Sequence, residues 1–316
     1  MTPKVVCLGP IILDVLGRPC LELPPGQIGQ RITQIRLTVA GTGAGTAIDL
    51  AKLDTSVTLL GAIGNDDAGE FLLTILNRFG VDVSMVQRTD AAQSSASMLP
   101  IRPNGDRGAY HVVGANAHLA LTHELLTRAL EGAAHIHVGG AESMGDYILE
   151  DFAMTLRTAR EAGVTTSVDV LASGYEDHQR RAFRAAMPFV DYFLPNDQQI
   201  CAIYEADDVE TAATAAVADG AGTVVVACGP DGALVARGDE QVRVPALAIE
   251  VVDTTGCGDA LSAGFIRAKL MGWDDIEAAR LGCTAGSLVA TGLGSDAGLV
   301  DLASTIERSR ELASTA

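Results

Sequence analysis

Apolar positions along the chain follow two periods. Short apolar runs at residues 5–8, 57–63, 135–138, 165–170, 192–194 and 224–227 are the length of buried strands. Between them, apolar residues recur at helical spacing. Ala47, Leu50 and Ala51 predict a helix over residues 46–53, a second runs over 69–79 to Gly80, and a third over 147–162 to Gly163. Strand–helix alternation of this kind predicts an α/β fold: a doubly wound, mostly parallel sheet with helices on both faces. Two stretches break the pattern. Residues 28–40 alternate through Ile32, Ile35, Leu37 and Val39, and residues 94–113 hold strand-like runs around the turn signal Pro103-Asn104-Gly105-Asp106. Together they predict a small antiparallel β lid, inserted at approximately 14–40 and 94–113 into a single domain spanning 1–316. Such a sheet suits a cover over a cleft and a homodimer contact. The tail after Asp301 predicts a closing helix.

Composition narrows the function. The chain has 316 residues, 48% of them hydrophobic, enough for a large core. Aromatics are only 4%, so that core is built from aliphatic and small side chains. A formal net charge of -18 repels phosphate backbones and argues against a nucleic-acid partner. It does not exclude ATP, which backbone amides at a helix start can bind locally. The six cysteines form no C-x-x-C pair, as expected of reduced thiols in the cytoplasm. The apolar run at residues 5–8 is too short for a signal peptide, and no run approaches the length of a membrane span. The expectation is a cytoplasmic protein with no membrane partner.

The richest segment is Asp253-Thr254-Thr255-Gly256-Cys257-Gly258-Asp259. A strand is predicted before it at residues 248–252 and a helix after it at 260–270. Glycines at a turn into a helix let amide hydrogens converge, and the helix dipole adds positive potential. Gly256, Cys257 and Gly258 would form an anion hole for a transferred phosphoryl group. Asp259 beside it would be the base that takes the proton of an attacking hydroxyl. The first strand runs into Gly9-Pro10-Ile11-Ile12 without the glycine fingerprint of a dinucleotide site, and no Walker motif occurs.

These residues resemble the second signature of the PfkB, or ribokinase-like, carbohydrate kinases, with Cys257 in place of an alanine. The resemblance covers nearly the whole chain and implies an ATP-dependent kinase acting on a hydroxyl of a sugar or sugar-like compound, with Mg²⁺ and, in many members, K⁺. Nucleoside kinases and catalytically weak sugar sensors share the fold and remain alternatives. Gly9 through Asp14 resembles the family's substrate-binding G-x-x-x-x-D, and a carboxylate there can accept from two neighbouring hydroxyls. Gly41, Thr42, Gly43 and Gly45 resemble its first signature, also on the substrate side. Gly45 stands where an asparagine usually contacts substrate. Glu142, at the C-terminal end of a strand, is a further substrate candidate.

On the nucleotide side, the resemblance implicates Asn196, Cys228, Gly229, Gly232, Thr254, Gly256, Gly258 and Cys283. Gln199 replaces the glutamate of N-x-x-E, which organises Mg²⁺ through water, and brings no charge. Asp253 and Thr255 would be ligands of a monovalent cation by resemblance alone. His135 and His137 share a strand face with no third ligand evident, and are expected to be structural.

Overall fold

The structure is a computed structural model that describes residues 3–22, 24–172 and 174–314; Met1, Thr2, Leu23, Ser173, Thr315 and Ala316 lie outside them. The strands are β1 (Lys4–Leu8), β2 (Ile12–Arg18), β3 (Gln34–Ala40), β4 (Ser56–Gly64), β5 (Asp82–Thr89), β6 (Ser95–Pro100), β7 (Tyr110–Val112), β8 (Ala133–Gly139), β9 (Thr165–Asp169), β10 (Tyr192–Phe193), β11 (Thr223–Ala227), β12 (Ala233–Arg237) and β13 (Glu240–Val244). The helices are α1 (Ala44–Lys52), α2 (Asp67–Arg78), α3 (His123–Leu130), α4 (Tyr147–Glu150), α5 (Phe152–Glu161), α6 (Asp177–Ala186), α7 (Asp197–Tyr204), α8 (Val209–Ala218), α9 (Cys257–Leu270), α10 (Asp275–Val289) and α11 (Leu302–Ser314).

Nine strands form the main sheet in the order β13-β12-β11-β10-β9-β8-β1-β4-β5. It is parallel from β5 through β11 and ends in an antiparallel pair of ladders, β11–β12 and β12–β13. Alternation along β1 shows why helices cover both faces. Val6 and Leu8 enter one core cluster with Ile136, Phe152 and Phe183, while Val5 and Cys7 enter another with Leu50, Leu59 and Phe265. A strand apolar on both faces has to be buried on both.

The predicted insertions pair as expected into a second sheet, ordered β3-β2-β6-β7, with β2 starting at Ile12, slightly before the expected boundary. Antiparallel pairing joins β2 to β3 and β6 to β7, whereas β2 and β6 run parallel. No helix among the described residues is long and apolar enough to cross a membrane.

Two expectations fail locally. The helix foreseen over 147–162 is two helices, α4 and α5, broken at Asp151. The break turns Tyr147 and Ile148 into the same cluster as Phe152 and Leu156, with Phe152 edge-on to both Tyr147 and Phe183. No strand forms over residues 248–252. There the Val252 amide donates to the Ala290 carbonyl and the Leu247 amide to the Ser287 hydroxyl, so the segment follows α10 instead of a sheet edge.

The start of α1 is set by a close approach. A Cβ on Gly43 would lie 2.6 Å from Gly9 Cα, and one on Gly9 would lie 2.6 Å from the Gly139 carbonyl oxygen. The ends of β1 and β8 thus hold α1 by backbone contact alone. Gly43→Ala should lower stability by about 1–3 kcal/mol through overpacking. An unchanged urea midpoint would show that α1 is not held there.

Candidate active site

Asp259 lies in the first turn of α9, capped by Gly256 in the left-handed region (φ 81°). A side chain at 256 is excluded twice, since its Cβ would also lie 2.5 Å from Ser295 Cα. Helix geometry leaves the first-turn amides of α9 without helical acceptors, so the turn gathers donors, as the sequence predicts. Asp253 braces this turn. Its Oδ1 accepts from the Thr255 amide (3.0 Å) and hydroxyl (2.7 Å), and its Oδ2 accepts from the Gly294 amide (2.9 Å).

These three donors fill Asp253, which fits a brace better than a ligand of K⁺. No group of three or more His, Cys, Asp or Glu that could hold a metal ion occurs among the described residues.

Gly45 explains where the Asp259 carboxylate sits. A Cβ at 45 would fall 2.6 Å from Asp259 Oδ2. The position expected to contact substrate instead makes room for the acid of α9. Burial first, and the Asp14 carboxylate second, push Asp259 up to about 7, against the pull of the Arg107 guanidinium. Burial likewise raises Asp14 to about 6, opposed by the Ser97 hydroxyl and Arg107. Arg107 stands in the turn between β6 and β7, paired with Ile101, with its Nε 3.8 Å from Asp253 Oδ1. The second sheet therefore delivers one acid and one cation to the start of α9.

Beside that helix start opens a cavity of about 540 Å³, lined by Gly229, Gly232, Thr254, Cys257, Gly258 and Cys283 among others. The segment 246–249 and Val251 form part of its wall, which is why that stretch is apolar without being a strand. Burial pushes the thiols of Cys257 and Cys283 up to about 12, so both act as neutral wall groups. Cys228 lies outside the lining, its thiol donating to the Val226 carbonyl and accepting from Arg243. Gly256 is also outside it, packed under Ser295.

Asn196 caps α7, and Gln199 completes a reciprocal capping box with it. The Gln199 side chain accepts from the Asn196 amide (2.7 Å) and donates to the Val170 carbonyl (2.8 Å). Both ends of that amide are taken by backbone, so Gln199 joins α7 to the end of β9 and does not fit a role around Mg²⁺. Glu142 is similarly occupied. One oxygen accepts from the Leu171 (2.7 Å) and Ala172 (2.8 Å) amides, while the other is buried without a hydrogen bond. Thr42 is buried among Gly139 and Gly140, its hydroxyl also without a partner. His135 and His137 both meet the Ser167 hydroxyl, at 2.7 and 2.9 Å. Burial holds them near 3 and 4, as expected for neutral structural groups.

Three groups escaped the sequence reading. Asp169 ends β9, accepts from the Ser262 hydroxyl of α9, and is pushed well above the carboxylate range by burial and then by Asp259. Its place at the C-terminal end of a parallel strand was a usable signal. Asp49 follows Gly45 by one turn of α1, with both oxygens buried and unbonded, and burial raises it well above its ordinary value. Arg107 carried no signal beyond being a cation next to a turn.

Comparison with known proteins agrees with this geometry. The profile of the pfkB family carbohydrate kinases matches residues 2–301. The chain is 29% identical over 288 residues to an ATP-dependent ribose-1-phosphate kinase of Halopiger xanaduensis, covering 91% of this chain and 92% of that one. Among solved structures, Arabidopsis thaliana ribokinase complexed with ribose and ATP superposes with a TM-score of 0.82 at 21% identity, over 98% of this chain and 99% of that one. A putative ribokinase II from E. coli in complex with ATP and Mg²⁺ gives 0.83 at 19% identity, over 98% and 100%.

Two outcomes follow from the charges. Arg107 lowers Asp259, so Arg107→Leu should move the acidic limb of the kcat/KM–pH profile to higher pH; a limb that stays in place or falls would refute the assignment. Asp259 is raised in the folded state, so its contribution to stability is full below its unfolded value and is lost as pH rises through about 7. Asp259→Asn should therefore raise Tm at about pH 8 by roughly 2 °C or more, and by less at about pH 5. Equal shifts at both pH values in thermal melts would refute it.

Proposed function

The chain belongs to the pfkB family of carbohydrate kinases, and on that premise we propose the following reaction. ATP, carrying Mg²⁺ as part of the substrate, occupies the cavity beside α9. A sugar or sugar-like acceptor lies between Asp14 and Asp259. One observation carries this reading: Asp259 stands buried at the helix start, with the cavity at its neighbours Cys257 and Gly258 and with Asp14 within electrostatic reach. Asp259 takes the proton of the attacking hydroxyl, for which a value near 7 suits a base at neutral pH. The amides of the 256–258 turn face the charge that builds on the transferred phosphoryl group. Asp14 accepts from acceptor hydroxyls. The similarity to a ribose-1-phosphate kinase and the Arg107 guanidinium together favour an acceptor with an anionic group of its own.

The second sheet supports a homodimer. Its outer face presents Leu37, Met98 and Tyr110 as cross-strand neighbours through Val15, with Ile35 and Val112 beside them, all five exposed. Polar residues take the opposite face, so the apolar one is suited to a second copy of the chain.

ADP release should be measured with ribose 1-phosphate, D-ribose, 2-deoxy-D-ribose, D-fructose, 2-keto-3-deoxy sugar acids and nucleosides. Turnover of a sugar or sugar phosphate is expected, with kcat lowered about 10²–10⁴-fold by Asp259→Asn while ATP still binds in calorimetry. Undiminished turnover by that variant removes the base assignment, and tight binding without turnover of any compound makes the protein a sensor. For the dimer, sedimentation should give twice the chain mass, and Leu37→Glu with Met98→Glu should give the monomer; a monomeric parent protein refutes the contact.

A further inference from the structure

A polar row crosses the inner face of the second sheet. Thr38, Asp14, Ser97 and His111 are successive cross-strand partners on β3, β2, β6 and β7, so their side chains leave the same face. Ser97 is buried, and its hydroxyl donates to the Asp14 carboxylate. His111 Nδ1 lies 3.1 Å from the same hydroxyl oxygen. A hydroxyl has one hydrogen to give. Once Ser97 gives it to Asp14, Ser97 Oγ can only accept from His111. The imidazole must therefore carry its hydrogen on Nδ1, and the chain has one direction: His111 Nδ1–H to Ser97 Oγ, then Ser97 Oγ–H to Asp14.

We propose that His111 and Ser97 are positioning residues that fix the orientation of the Asp14 carboxylate for the acceptor's hydroxyls. The proposal rests on the reading of Asp14 as an acceptor-binding group. The terminal torsion of an aspartate is broad, so an unheld carboxylate samples orientations that cannot receive two hydroxyls at once. A donor fixed on one side of it leaves the remaining lone pairs pointing in a set direction. His111 lies on the short edge strand β7, whose three residues are exposed, so core packing does not account for its ring contact with Ser97.

Two measurements test this. Long-range ¹H–¹⁵N correlation in the substrate-free protein should find His111 with its hydrogen on Nδ1, and Ser97→Ala should return it to the Nε2–H form of free imidazole. In steady-state assays, ribose 1-phosphate, D-ribose or 2-deoxy-D-ribose is used, whichever is turned over best. Ser97→Ala and His111→Ala should raise the acceptor KM about tenfold, the worth of a charge-assisted hydrogen bond. The ATP KM and kcat should stay within about twofold. His111→Asn, whose amide N–H can take the place of Nδ1–H, should restore the acceptor KM. An Nε2–H imidazole in the parent protein overturns the relay. So does an unaltered acceptor KM in Ser97→Ala when Asp14→Asn raises it, and the role of Asp14 then stands. An unaltered KM in Asp14→Asn as well removes the reading beneath both.

Discussion

The contact between α1 and α9 at Gly45 sets the position of the Asp259 carboxylate, and with it the chemistry of the site. A hydrogen at that Cα leaves the only space the carboxylate can enter, because any Cβ would come within 2.6 Å of Oδ2. The start of α1 is in turn fixed by backbone contact between Gly43 and Gly9 at the end of β1. The parallel sheet thus reaches the acid through two glycine contacts, with no flexible side chain between. Such a rigid path places a base to within the tolerance that proton transfer requires.

Burying acids this closely has an electrostatic consequence. Asp14, Asp169, Asp49 and Asp259 are all held above their ordinary range by burial, and Asp259 also feels Asp14. In water such groups would ionise freely. Here the dry surroundings hold back ionisation, and Arg107 supplies the opposing charge that keeps Asp259 near neutrality. That cation comes from the second sheet, so the protonation state of the base depends on an element outside the main α/β layer. The same sheet carries Asp14 on one face and an apolar surface on the other, and so faces both the cleft and a second copy of the chain.

The site divides along α9. The cavity wall takes its glycines from the β11–β12 turn and its small residues from α9 and α10, while the carboxylates gather toward α1 and the second sheet. The loop over 291–299 ties these halves together. Gly294 donates to Asp253, Ser295 packs on Gly256 and donates to the Val39 carbonyl, and Arg36 of β3 grips Asp296. Any shift of β3 is therefore felt at the turn where phosphoryl charge would develop.

Period and punctuation in the chain were enough to determine the parallel sheet, its flanking helices, the two inserted stretches and the importance of the turn ending at Asp259. Each rests on local spacing, which survives without knowledge of neighbours. Gly45 was legible only as a missing side chain; that its emptiness receives Asp259 depends on α1 crossing α9, two elements more than two hundred residues apart in sequence. Residues 248–252 have a strand's composition, yet their hydrogen bonds go to α10 and their side chains to a cavity, which no local pattern records. Gln199 and Glu142 looked free for ligands because a sequence does not reveal which backbone amides and carbonyls will claim them. The standing of Arg107 and of the His111–Ser97–Asp14 row came from cross-strand register. Register is decided by how two distant inserts pair, and only the folded chain carries it.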